Sequence, residues 1–180
     1  MTGAVAGALG AALATLPPAL AAAHRPGEAL HFHGTAEVEP AATWPARLAA
    51  RLVGLPTREG RFPITLAKHR LAEGHERWER RIGPAHFHST LRAAGPMRVM
   101  ERLGPLEAEL ALWVEDGALV LEMVAARLLG LPLPRWLRPV CVARETAVAG
   151  SALAFRFEVP IALPLLGRLV RYSGELAPSS

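Results

Sequence analysis

The stretch LEAELALWVEDGALVLEMVA, residues 106–125, decides the fold. Leu106, Ala108, Leu110, Leu112 and Val114 take alternate positions and oppose Glu107, Glu109 and Glu115, which is the side-chain period of a strand with one wet face. Glu115-Asp116-Gly117 then supplies residues that accept the positive backbone φ of a tight type I′ turn, and an apolar run follows over 118–125. The segment is a β-hairpin.

The same period recurs on both sides of it. Residues 30–38 put Leu30, Phe32, Gly34, Ala36 and Val38 on one face, with His31, His33, Thr35, Glu37 and Glu39 on the other. In 85–91, Phe87 and Leu91 oppose His86, His88 and Arg92, and further strands are expected at 61–69, 75–82, 97–103, 140–147, 152–160 and 169–176. Only 43–53 has helical spacing, through Trp44, Leu48, Leu52 and Val53, with Thr43 and Pro45 as start signals. This series of short strands joined by short turns implies an α+β fold that is mostly antiparallel β. Its sheet curls or closes into a barrel to protect its edges, with short helices against one face or end. Residues 29–176 make up this single domain, after an N-terminal helical segment over 1–28 and before a tail over 177–180.

At 180 residues the chain is long enough for one well-buried core. It contains no Asn, no Gln, one Lys (Lys68), one Asp (Asp116) and one Cys (Cys141). A single Cys excludes an internal disulfide and any multi-thiolate zinc or iron–sulfur site. Paired aspartates and Ser-His-Asp chemistry have almost nothing to draw on. The net charge is +4, yet the arginines are spread through the chain. Only Arg77, Arg80 and Arg81 cluster, interleaved with Glu76 and Glu79, which reads as a solvated mixed surface and not as a nucleic-acid stripe.

From Thr2 to Ala23 no residue is charged, but Gly3, Gly7, Gly10 and Pro17-Pro18 dilute the run too far for a transmembrane span. The expectation is an Ala-rich helix, then a short helix opened by Pro17-Pro18 and ending near His24 and Gly27. Ala21-Ala22-Ala23 before His24 has the form of a cleavage site, though no basic residue precedes the apolar stretch. The expected location is the cytoplasm with residues 1–23 retained, and export through an atypical N-terminal signal is the alternative. An internal echo, AARLVGLP at 49–56 and AARLLGLP at 125–132, raises a two-fold pseudo-repeat against chance matching in a low-diversity alphabet.

Several segments together carry a family resemblance: LPPAL (16–20) with His24, WPARLAARLVGLP (44–56), ERWERRIG (76–83), the Phe87 strand, MERLGPLE (100–107), WVEDGAL (113–119), RLLGLPLPRWL (127–137), ARE (143–145), FRFEV (155–159) and LLGRLVRYSGEL (165–176). In order and spacing the chain resembles the uncharacterised bacterial family known as domain of unknown function 4166, over Leu16 to Leu176. The resemblance implies no established activity. It does imply an association with dehydrogenase-like, NAD(P)-binding domains, but no glycine-rich dinucleotide loop occurs here and no cofactor is expected. The family pattern includes Glu145 and Tyr172, and it favours Arg on the Phe87 strand where this chain has His86 and His88.

Two constellations carry chemistry. His31-Phe32-His33 and His86-Phe87-His88 each put two imidazoles on one strand face, the spacing a metal would need. Both pairs oppose the apolar face, so they read as solvent-facing residues and no metal is expected. The second constellation is inward: Arg80 shares a face with Trp78 and Ile82, and Glu101 shares one with Met97, Val99 and Leu103. Opposite charges on inward faces suggest an ion pair, either fixing register or orienting a ligand. Cys141 reads as a packed thiol. The expected function is non-catalytic binding of a small apolar or amphipathic ligand in the concavity of the sheet, with Trp78, Arg80, Glu101, Glu145 and Tyr172 as site residues. An accessory module working with an NAD(P)-dependent oxidoreductase, and an enzyme of unknown reaction using Arg80 and Glu101, are the alternatives.

Overall fold

The computed structural model describes residues 3–25, 29–71 and 74–179. Eleven strands make one sheet: β1 (Ala29–Pro40), β2 (Gly60–Arg70), β3 (Glu76–Ile82), β4 (Ala85–Gly95), β5 (Arg98–Leu103), β6 (Leu106–Glu115), β7 (Ala118–Leu128), β8 (Leu131–Pro132), β9 (Val140–Ala147), β10 (Phe155–Leu163) and β11 (Gly167–Pro178). Apart from the two-residue β8, which folds back on β7, each strand pairs antiparallel with the next in the chain, and β1 pairs with β11. Ten strands therefore close into an up-and-down barrel without free edges.

The hairpin forms in the expected register, with Glu115 opposite Ala118 and with Asp116 at φ 50° and Gly117 at φ 73°. Closure depends on two other glycines. A Cβ on Gly34 of β1 would lie 1.8 Å from the Glu175 carbonyl oxygen, and one on Gly174 of β11 would lie 2.0 Å from that of Thr35. At these two positions the first and last strands approach too closely for any side chain.

Strand alternation sorts the wall. Phe32, Ala36 and Val38 of β1, Ile64 and Leu66 of β2, Phe87 and Leu91 of β4, and Phe155 and Phe157 of β10 point inward and are buried. Burying one such large side chain contributes about 1.5–3 kcal/mol. The outward positions carry His31, Glu37, Arg77, Arg92 and Arg156. An ionic outside and an apolar inside is the reverse of the pattern by which a barrel spans a bilayer. Among the described residues no helix is long and apolar enough to cross a membrane.

The two ends are closed differently. α1 (Ala4–Leu9), a 3₁₀ segment over Gly10–Thr15 and α2 (Pro18–His24) plug the end where β1 begins. Val5 and Leu20 are fully buried there, a Cβ on Gly117 would come within 3.5 Å of the Pro17 ring, and the Met97 amide donates to the Ala8 carbonyl. Pro17-Pro18 opens α2 as expected; Gly27 lies outside the described residues. At the other end sits α3 (Trp44–Leu52), on the expected span but with an unexpected orientation. Its Ala46 and Ala50 face inward, while Trp44, Leu48 and Leu52 are exposed. Only small side chains fit between this helix and the barrel mouth.

The pseudo-repeat does not emerge. The echoed octapeptide is the end of a helix at 49–56 and a strand with its turn at 125–132, sharing only a left-handed glycine, Gly54 and Gly130. Arg80 points into the barrel, whereas its counterpart Arg156 is exposed and bonded to Glu175.

Candidate functional site: a lined cavity inside the barrel

An eight-stranded barrel is just filled by its own side chains, and a larger one leaves space. Here a cavity of ≈ 390 Å³ remains, within the size range of small-ligand pockets. Apolar side chains from every barrel strand except β1 make most of its lining, and Ala49 of α3 and Val53 at its C-terminal cap add to it. Two lining residues, Leu128 and Leu137, are themselves about two-fifths exposed, which puts the mouth at the α3 end.

All five residues singled out from strand parity and family pattern meet here: Trp78, Arg80, Glu101, Glu145 and Tyr172 line the same cavity. Arg80 Nη2 lies 3.5 Å from Glu101 Oε1, and Arg80 Nη1 donates to the hydroxyl of fully buried Ser89 at 2.9 Å. The guanidinium also stands over the rings of Trp78 at 5.1 Å and Phe87 at 5.7 Å. Tyr172 packs edge-on against Phe87, and burial raises its phenol well above the usual range, so it stays a neutral donor. Cys141 lines the cavity too, and burial pushes its thiol up to about 12. It is a packed thiol, as expected.

A second polar cluster seals the plugged end and was not foreseen. The sole lysine, Lys68, is buried; its ammonium donates to the Ala23 carbonyl at 2.9 Å, approaches His24 Nδ1 at 3.4 Å and lies 4.0 Å from the centre of the Trp78 ring. His24 Nε2 is 2.7 Å from Glu145 Oε2. Burial, and then Lys68, lower the His24 pKa. A neutral ring that accepts at Nδ1 and donates from Nε2 satisfies both neighbours. Burial lowers the Lys68 pKa from 10.5 to about 8. Burial alone would raise the Glu145 carboxyl, but His24, Lys68 and Arg80 outweigh it and hold the group well below the usual carboxylate range. Strand parity held a signal for Lys68, which shares the inward face of β2 with Ile64 and Leu66. His24 comes from 121 positions before Glu145 and left no local signal.

The histidine pairs do not converge. His31, His33, His86 and His88 are all exposed, and the two strands that carry them are separated by β2 and β3. Among the described residues no group of three or more potential ligands gathers around a point.

With this geometry in place, comparison with known families is informative: residues 16–176 match the model of Domain of unknown function (DUF4166). The chain belongs to the DUF4166 family. No curated protein and no solved structure gives a significant match. The matched span holds the whole barrel from β1 to Leu176, together with α2 and His24, so the cavity and both polar clusters lie inside the DUF4166 domain. The first helix and the 3₁₀ segment precede it.

Proposed function

We propose that the barrel binds a small, uncharged amphipathic molecule in its cavity without transforming it. The observation that carries this reading is the ≈ 390 Å³ apolar cavity that keeps a few polar side chains within an otherwise greasy wall. Glu145 and Trp78 stand toward the plugged end and Arg80, Glu101 and Tyr172 midway along the strands, whereas Leu128, Leu133 and Leu137 stand at the mouth. A ligand would seat its polar group inward and its apolar part toward the opening.

Charge balance narrows the ligand class. Arg80 is answered by Glu101, and Glu145 by Lys68 through His24. A carboxylate would have to displace Glu101 from Arg80 and leave a buried charge uncompensated, whereas a hydroxyl or carbonyl can bond to the existing pair and to Tyr172. Binding without chemistry fits the state of the groups present. The thiol and the phenol that face the cavity are both held in their protonated, unreactive forms.

The test uses a neutral naphthylamine fluorophore as the probe. Wild-type protein should enhance its emission at one site per chain. Ala143→Phe, which projects a ring from the lining into the cavity, should abolish the enhancement while the circular dichroism spectrum is unchanged. Dodecanol should displace the probe at about tenfold lower concentration than dodecanoate, given the cost of burying an unpaired carboxylate. Equal enhancement by wild type and Ala143→Phe would contradict the reading.

A further inference from the structure

The open end of the barrel is apolar on its outside as well as its inside. Of the thirteen large apolar side chains exposed among the described residues, ten lie at this end or on the strand tips leading to it; Val142 lies midway along the wall, and Leu71 and Leu153 lie at the plugged end. Trp44, Leu48 and Leu52 project from α3, Leu129 and Leu131 flank the turn between β7 and β8, and Trp136 stands on the following loop. Trp44, Leu52 and Leu129 are 76%, 76% and 80% exposed, so nothing among the described residues covers them. Single exposed leucines are ordinary, but such a concentration on one end is not. Folding does not require it, because the inward face of α3 is made by Ala46, Ala49 and Ala50, with Val53 at its C-terminal cap.

The same end is basic. Arg47 and Arg51 flank the outward stripe of α3 one helical step away, and exposed Arg58, Arg127 and Arg135 stand on the adjoining loops and strand tip. The acids at this end include Glu39, Glu59 and Glu107; Glu39 is already held by Arg168 at 2.6 Å and by Arg171, and Glu107 lies opposite Arg102 and Arg127. Indole and leucine side chains interleaved with arginines suit the boundary of an anionic bilayer: the apolar groups enter the acyl region while the guanidinium groups stay at the level of the phosphates. A symmetric second copy would also bury the apolar stripe, but it would bring two surplus-arginine surfaces together.

We propose that the open end docks on the surface of an anionic membrane, with Trp44, Leu48, Leu52, Leu129, Leu131 and Trp136 as its apolar anchors. The barrel rests on the bilayer and does not span it, since its wall is charged. Docking places the cavity mouth against the lipid, but it rests on the exterior alone and holds whether or not the cavity is filled.

Flotation of the full chain with vesicles tests this. Vesicles of phosphatidylcholine and phosphatidylglycerol in equal parts should carry the protein up the gradient with a blue shift of tryptophan emission. Vesicles of phosphatidylcholine alone should carry far less, and high salt should weaken the anionic case. Leu48→Ser with Leu52→Ser keeps both reporter tryptophans at this end and changes only exposed positions, so the melting temperature should hold. Affinity should fall about a hundredfold, about tenfold for each leucine withdrawn from the acyl boundary. Arg47→Glu with Arg51→Glu should remove the preference for anionic vesicles. Absence of flotation with the anionic vesicles would overturn the proposal, as would unchanged flotation of the leucine variant. A lipid-free dimer in sedimentation that the leucine variant abolishes would assign the face to a second copy instead.

Discussion

Replacing Lys68 by methionine should change the pH dependence of stability in a direction set by the burial of its ammonium group. In the fold Lys68 releases its proton near pH 8, against 10.5 for an ordinary lysine, because burial penalises the charge more than Glu145 and Glu76 restore it. Between those two values the unfolded chain still holds a proton that the folded chain has released, so this group makes stability rise with pH across the window. The penalty is fully present below pH 8, and its release between pH 8 and 10.5 corresponds to about 3 kcal/mol. Cys141 acts in the opposite sense: burial keeps its thiol protonated up to about 12, so stability is lost from that group as pH rises above 9. Wild type and Lys68→Met share the Cys141 contribution, and the difference between them isolates the lysine. Urea unfolding followed by tryptophan emission at closely spaced pH values gives that difference. Stability of the wild type minus that of the variant should grow by about 3 kcal/mol from pH 8 to pH 10.5. A difference that stays flat would refute the buried, charge-penalised lysine and the seal built on it.

The remaining expectations concern other parts of the molecule. In a double-mutant cycle with Arg80→Leu and Glu101→Leu, the coupling should be about 1–3 kcal/mol, since the pair is partly buried and in contact; near-zero coupling in denaturant unfolding would mean the two charges do not interact. Gly34→Ala should lower stability by several kcal/mol or prevent folding, because its Cβ meets backbone and not a flexible side chain, and a melting curve that matches wild type would contradict the closed seam. His31→Ala with His33→Ala should change the unfolding free energy by no more than neutral surface substitutions do, about 0.5 kcal/mol in denaturant unfolding, with or without added chelator. Cys141 should react slowly with a disulfide reagent in the fold and rapidly once unfolded; equal rates would show the thiol to be accessible.

Much of the wall was legible because a strand's side chains alternate. Parity alone put Trp78, Arg80 and Glu101 on inward faces, and Asp116-Gly117 marked its turn through the backbone angles it permits. Three things escaped. The Trp44–Leu48–Leu52 stripe marked α3 as a helix, but which side meets the barrel depends on the space left at the mouth, and the small side chains of Ala46, Ala49 and Ala50 fit there. The octapeptide echo was misleading because identical short runs take the conformation their tertiary surroundings impose, helical at 49–52 and extended at 125–128. The Lys68–His24–Glu145 chain joins three segments distant in sequence, so no local period could connect them, although the inward parity of Lys68 marked one member. Glu145 and Tyr172 were reached through the family pattern and not through periodicity, and both stand on the cavity wall.

The most direct test of the central claim is native mass spectrometry of the full chain after incubation with dodecanol. An uncharged amphiphile held inside the barrel predicts a one-to-one adduct on the wild type that survives gentle desolvation and is lost in Ala143→Phe, whose side chain occupies the same space. A wild type that carries no adduct, or an adduct carried equally by both proteins, would contradict it.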